Sequence, residues 1–190
     1  MKIAPAYSML GALAFAAALM GSPPLVAQFA PLAIASTAFE DGGTIPIRHS
    51  AYGDNVSPPI TWTGAPAETR SYVLLVHDRD APFPGGFVHW LVYNIPGSAN
   101  GIPEGIAAGP SIEAPAEVAG AAQGLTDMQR FGYYGPRPQP GDGAHHYIVT
   151  VYALSRPPDL ELGLGRNQVL SAVRDQIVAQ GILTGTYEQR

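Results

Sequence analysis

The sequence predicts a mainly β domain, a sandwich of two packed sheets with one late C-terminal helix. Three observations carry that expectation. Apolar stretches at 71–78, 87–96 and 144–154 lack a helical period and are dense in β-branched and aromatic side chains. The chain contains 22 Gly and 19 Pro, which punctuate it into short segments. Only one stretch, 167–180, has helical spacing. Short strands, frequent turns and little helix together describe two layers of sheet around one core.

The first 27 residues read as a secretory signal peptide, leaving a single domain over 28–190. Lys2 is the charged start, Ser8 to Met20 is apolar, and Gly21, Ser22, Pro23 and Pro24 break any helix. Ala27 offers the small residue before a cleavage point. The apolar run is too short for a hydrocarbon core of about 30 Å. With no Cys anywhere, a lipoprotein anchor, a disulfide framework, a thiolate metal site and a cysteine nucleophile are excluded. The expected location is periplasmic or secreted.

Segment 45–48 alternates around Pro46 and reads as an edge strand, the setting in which a sheet tolerates proline. Residues 52–59 form a turn-rich loop feeding a short strand at 60–62. The run at 71–78 is continuously apolar, so both its faces are expected to be covered. After a loop at 79–86 comes the strand at 87–96. The segment 97–143 is rich in Gly, Pro and Ala without periodicity, a long loop of the kind that is usually functional. The strand at 144–154 follows. In the helix at 167–180, Asn167 is the N-cap and Val169, Leu170, Val173, Ile177 and Val178 form one stripe. Gly181 supplies its stop.

The formal charge of −5 and a lone lysine, Lys2, argue against nucleic acid, which needs clustered cations to neutralise phosphates. They argue equally against a polybasic membrane-surface patch.

Polar residues at the ends of apolar strands stand out, because burying them is costly unless they are paired. Asp78 and Asp80 end one strand, His89 lies inside the next beside Trp90, and His145, His146 and Tyr147 open the third. Period-2 geometry places His145 and Tyr147 on one face with Val149 and Val151, and His146 on the other. The same rule places His89 with Phe87, Leu91 and Tyr93. If the strand ends converge, two carboxyls, two imidazoles and a phenol line one small cavity suited to an oxyanion. Gly135 would let backbone approach a ligand closely. An Asp beside a His raises the His pKa, so the anion would bind to an imidazolium and affinity would fall as pH rises. Bland roles compete at each position. The aspartates can satisfy loop donors, His89 can be a core histidine, and His146 can face the surface. Trp62 and Trp90 can be core aromatics, and Tyr133 a loop anchor.

The joint pattern resembles the phosphatidylethanolamine-binding protein family, whose members include the Raf kinase inhibitor protein and the plant flowering regulators. Asp78, Asp80, Ala81 and Pro82 followed by His89-Trp90-Leu91-Val92-Tyr93-Asn94-Ile95-Pro96 are similar to the family's D-P-D-A-P and H-W-x-V-x-N-I-P motifs, with Arg79 in place of the usual Pro. Its Gly- and Pro-rich turn leading into His-x-Tyr is matched by Gly132, Gly135, Pro136, Pro138, Gly141, His145 and Tyr147. Ser57-Pro58-Pro59-Ile60-Thr61-Trp62 and the late Gly185-Thr186-Tyr187 look like the bacterial YbhB/YbcL-like branch, and the likeness spans about 36–188. The resemblance implies a β-sandwich with a pocket for phosphate or a phosphoethanolamine headgroup. It assigns the ligand to Asp78, His89, Gly135, Pro136, His145 and Tyr147, with Asp80, Pro82 and Trp90 as pocket wall. It implies no cofactor and no catalytic residue.

The leading expectation is therefore an exported binding protein for a small anionic or phosphorylated ligand, not an enzyme. No G-x-S-x-G elbow is present, and Ser50, Ser57, Ser71 and Ser98 have no base at motif spacing. Inhibition of a partner kinase or protease through an exposed 97–143 loop is a second expectation. A metal-dependent hydrolase using Asp78, Asp80, His89 and His145 is the alternative.

Overall fold

The computed structural model describes residues 29–190, so the expected leader at 1–27 lies outside the described residues. In chain order the elements are β1 (Ala30–Pro31), β2 (Ala33–Ala35), β3 (Ile60–Thr63), β4 (Ser71–Asp78) and β5 (Phe87–Pro96). They continue with β6 (Gly101–Ile102), β7 (Ala122–Gln123), β8 (His145–Leu154), α1 (Arg166–Val173) and β9 (Ile177–Tyr187). Six strands form one sheet in the order β1-β9-β8-β4-β5-β7, and β2-β3-β6 form a second. The fold is the mainly β, two-sheet architecture expected.

The central strand β4 explains the layering. It pairs antiparallel with β5 on one side and β8 on the other, so its backbone groups are satisfied along both edges. Leu74 and Val76 point into the core between the sheets, where they join Ile60, Trp62, Trp90, Val92 and Val151. Val73 and Leu75 point the opposite way and are capped by α1 through Val169 and Val173. A strand buried on both faces reads as a continuous apolar run, which is why 71–78 does not alternate. Burying each such side chain stabilises the fold by about 1.5–3 kcal/mol.

Three expectations are corrected. The helix does not run over 167–180. It spans Arg166–Val173, passes through a 3₁₀ turn at Arg174–Gln176, and gives way to β9, an eleven-residue strand. Val169 and Val173 do form a buried stripe, but Ile177 and Val178 belong to the strand. Pairing decides this: β9 lies along the whole of β8, from His145 opposite Tyr187 to Leu154 opposite Ile177. Gly181 is no helix stop, since a side chain there would collide with the Leu32 carbonyl and Ile34.

The edge strand at 45–48 is instead a 3₁₀ turn over Ile47–His49, with only Thr44 bridging Thr186 ahead of it. Pro46 precedes the turn with φ −59°, and the Ser50 hydroxyl donates to the Ile47 carbonyl at 2.8 Å.

The segment 97–143 is irregular but not simply exposed. Ile102, Ile106, Ile112, Val118 and Ala121 lie in the core. Buried Gln123 staples it: its amide donates to the Ala107 and Gly109 carbonyls at 2.8 and 3.1 Å, and accepts from the Trp90 indole at 2.9 Å.

Candidate functional site

The strand ends converge. β4 terminates at Asp78, which lies opposite Phe87 on β5 and Tyr147 on β8, beside the first turn of the loop at 79–86. A cavity of about 190 Å³ opens there. Of the residues singled out in the sequence, Asp78, Ala81, Pro82, Phe87, His89, Pro138 and His145 line it. So do Phe83, Met128, Tyr134, Arg137 and Asp142, which sequence reasoning passed over.

His89 reaches the cavity because of a β-bulge. Val76 pairs with Trp90 and His77 with Val88, leaving His89 as the extra residue between them. Val88, Leu91 and Tyr93 pack under α1, while Trp90 packs between the sheets. His89 lies on the second side, edge-on to Tyr147 with ring centroids 5.1 Å apart. The expected grouping of His89 with Leu91 and Tyr93 is therefore corrected: strict alternation fails at the bulge.

Two pairs of hydrogen bonds orient the imidazoles. His89 Nδ1 donates to the Tyr134 carbonyl at 2.6 Å, and the Tyr134 N–H returns to the His89 carbonyl at 2.9 Å. The Tyr134 ring stacks on the imidazole, 5.7 Å between centroids. His145 Nδ1 donates to Asp78 Oδ2 at 2.7 Å. The other Asp78 oxygen accepts the N–H groups of Asp80 and Ala81 at 2.9 and 3.1 Å. One carboxylate thus satisfies the loop and fixes a cavity histidine, so the bland and the functional roles coexist.

The electrostatics correct the imidazolium expectation for His89. Burial pushes its pKa down to about 4, against the upward pull of the Tyr134 carbonyl and the Asp78 carboxylate. Its ring is neutral across ordinary pH. Tyr147 is buried, its hydroxyl has no hydrogen-bond partner among the described residues, and burial followed by the Asp78 charge raises its pKa.

The remaining expected residues stand around the cavity and are not among its lining. Gly135 needs its missing side chain for the molecule's own loop, since a Cβ there would strike the backbone of His49 and Ser50. Its N–H donates to Asn55 Oδ1 at 2.7 Å, and the Pro136 carbonyl accepts the Ala51 N–H at 3.0 Å. Trp90 is a core aromatic, edge-on to Tyr133, whose hydroxyl anchors the loop on the His49 carbonyl at 2.7 Å. Asp80 turns away to the backbone and side chain of His146, at 2.7 and 2.6 Å. Arg79 is exposed, its Nε 3.7 Å from Asp80. Among the described residues no three His, Asp or Glu side chains gather as metal ligands, so the set expected for a metal-dependent hydrolase does not assemble.

What sequence reasoning missed has one origin. Tyr134 and Arg137 lie in the Gly/Pro-rich turn before β8, and Phe83 and Met128 in loops, where neither period marks direction. The usable signal was local: the turn leads directly into His145.

Comparison with known proteins bears on the fold and the family. The sequence profile described as phosphatidylethanolamine-binding protein matches residues 35–188. The phosphatidylethanolamine-binding protein homologue CT736 from Chlamydia trachomatis superposes with a TM-score of 0.73 at 34% identity, covering 84% of this chain and 99% of that one. YbcL from E. coli, a bacterial member of the family, gives 0.73 at 28% identity over the same shares. The Mycobacterium tuberculosis protein designated lipoprotein LppC is 36% identical over 159 residues, 83% of this chain and 73% of that one. The chain belongs to the phosphatidylethanolamine-binding protein family.

Proposed function

We propose that the chain is an exported binding protein whose pocket takes a small anionic group, inorganic phosphate or a phosphoethanolamine headgroup. One observation carries the reading: β4, β5 and β8 end together and direct Asp78, His89 and His145 into one small cavity, with Arg137 also lining it. Each imidazole has its Nδ1 engaged by the protein, leaving Nε2 for a ligand. Gly135, Pro136 and Tyr147 support the loop and wall from outside the lining, as do Asp80 and Trp90.

Binding fits better than catalysis. Among the described residues lining the cavity there is no Ser, Thr or Cys to serve as an activated nucleophile. Export is supported by the leader-like pattern of residues 1–27 and by the lipoprotein designation of the mycobacterial relative. Among the described residues no helix is long and apolar enough to cross a membrane. Inhibition of a partner kinase or protease would fall to the 97–143 segment, which keeps exposed residues such as Glu104, Glu113 and Met128 beside those it places in the core.

Calorimetry with phosphate and phosphoethanolamine tests the proposal. Wild-type protein binds, while folded His89→Ala and His145→Ala each lose about tenfold or more, the scale of one hydrogen bond to a charged ligand. Folded wild-type protein that binds neither compound overturns it.

A further inference from the structure

The loop at 79–86 separates two cavities. Ala81, Pro82 and Phe83 face the one at the ends of β4, β5 and β8, while Pro84, Gly85 and Gly86 line another of about 340 Å³. No residue is shared between the two linings. The second cavity is completed by Asp127 and by residues 165–168 at the start of α1. The Leu125 N–H donates to the Leu164 carbonyl at 3.0 Å, which brings those two segments together.

Arg166 stands in this lining with its charge unanswered. Its Nη1 donates to the Gly85 carbonyl at 3.0 Å, which also accepts from His77 Nε2 at 2.6 Å. Its Nε is buried and has no hydrogen-bond partner among the described residues. A buried donor without a partner is costly, so the protein alone does not satisfy this guanidinium. Among the described residues no carboxylate lies within ion-pair distance of it. Asp127 lines the same cavity, yet its Oδ2 accepts the Val88 N–H at 2.8 Å instead. Two opposite charges therefore border one space without meeting.

The start of α1 opens onto the same space. Ser, Thr, Asp or Asn ordinarily caps a helix by accepting its first free N–H groups. Here the N-cap is Gly165, which has no side chain to do so. Gln168 Oε1 accepts the Gly165 N–H at 3.0 Å, which is only one half of a capping box. The backbone does not demand glycine. Its φ is −90°, and a Cβ would meet nothing nearer than Gln168 Oε1 at 3.8 Å. An uncapped helix start thus adjoins the unpaired guanidinium.

We propose that this second cavity binds a small zwitterion of the amino-acid class, carrying one carboxylate and one ammonium group. The carboxylate matches the planar guanidinium of Arg166 and the free N–H groups beside it. The ammonium group goes to the Asp127 carboxylate, which would repel a simple anion. A ligand with a single charge leaves one wall of the cavity unanswered, and that difference is what selects.

An NMR titration of the purified protein, followed at the Gly85, Gly86 and Gly165 amides, tests this. The probes are glycine, β-alanine and 4-aminobutyrate, which differ in the span between their charges, with acetate and methylammonium as single-charge controls. At least one amino acid is expected to bind about tenfold or more tighter than either control, the scale of one hydrogen bond to a charged group. Arg166→Gln is expected to lose that preference, but it also removes a bond to Gly85. Gly165→Asp leaves Arg166 in place at a position that accepts a Cβ. Its tethered carboxylate is expected to occupy the capping position and weaken amino-acid binding about tenfold or more. Unchanged affinity in folded Gly165→Asp overturns the inference. Acetate binding as tightly as every amino acid overturns it too, and leaves a plain anion site. So does the absence of any shift at the three amides. Phosphate binding at the first cavity stands or falls independently of these outcomes.

Discussion

Two histidine–aspartate pairs sit side by side at the junction of β4 and β8, and they differ in almost everything but chemistry. Asp78 and His145 meet at 2.7 Å with side chains 5% and 8% exposed. Asp80 and His146 meet at 2.6 Å with side chains 36% and 39% exposed. His145 and His146 are neighbours in sequence, and the pleat of β8 sends them to opposite faces. One pair lines the cavity and carries loop backbone on its free oxygen. The other closes a surface contact in high dielectric, where such pairs contribute at most about 1 kcal/mol. The same two residue types thus make a buried structural and binding element in one case and a surface clasp in the other.

The largest expected contrast is in stability. Asp78→Ala leaves His145 Nδ1 and the Asp80 and Ala81 N–H groups without their acceptor, and is expected to cost about 3–5 kcal/mol in urea unfolding. Asp80→Ala is expected to cost less than about 1 kcal/mol. Equal costs would break the comparison.

Acid titration comes next. The folded pKa of His89 lies near 4, below the 6.5 of a free imidazole, so the unfolded chain binds the extra proton between those values. Stability then rises with pH over that window and is complete above it, a difference of about 3 kcal/mol. His89→Gln should flatten this part of the stability–pH curve. The exposed Asp80 acts lower. Its slight burial is outweighed by hydrogen bonds and charge from His146, with Arg79 adding, so its carboxyl is held below the ordinary range. Its small contribution is present at neutral pH and lost only on acidification below about pH 4.

A smaller effect concerns the cavity rim, where Phe83 and Met128 are 58% and 43% exposed although they line the cavity. Phenyl phosphate should bind a few-fold tighter than phosphoethanolamine, and Phe83→Ala should remove that preference, on the scale of about 1 kcal/mol for one aromatic contact. The smallest is Tyr147→Phe. Deleting a buried hydroxyl without a partner should change stability by less than about 1 kcal/mol. A loss of ligand affinity in that variant would show that the hydroxyl reaches the bound group.

Legibility followed the range of the interactions. Strands β3, β4, β5 and β8 were readable because their composition alone demands burial, and Asp78, His89 and His145 because polar groups at the ends of such strands need partners. β9 was not. Its Ile177 and Val178 continue a helical stripe begun at Val169, and only the ladder with β8 shows that the alternating Ala179, Gly181, Leu183 and Gly185 form a strand face. β1 and β2 were equally hidden, being two and three residues that exist only as edges for β9 and β3.

By itself, then, the order of side chains determined which segments must be buried, which family they resemble and which titratable groups meet the core boundary. These are consequences of composition and short-range spacing. Tertiary structure decided the direction of His89, through a bulge visible only against β4. It also decided which aspartate meets which histidine and the strand identity of residues 177–187. Those outcomes depend on backbone hydrogen bonds between segments far apart in the chain, and such bonds are satisfied only when both partners are in register.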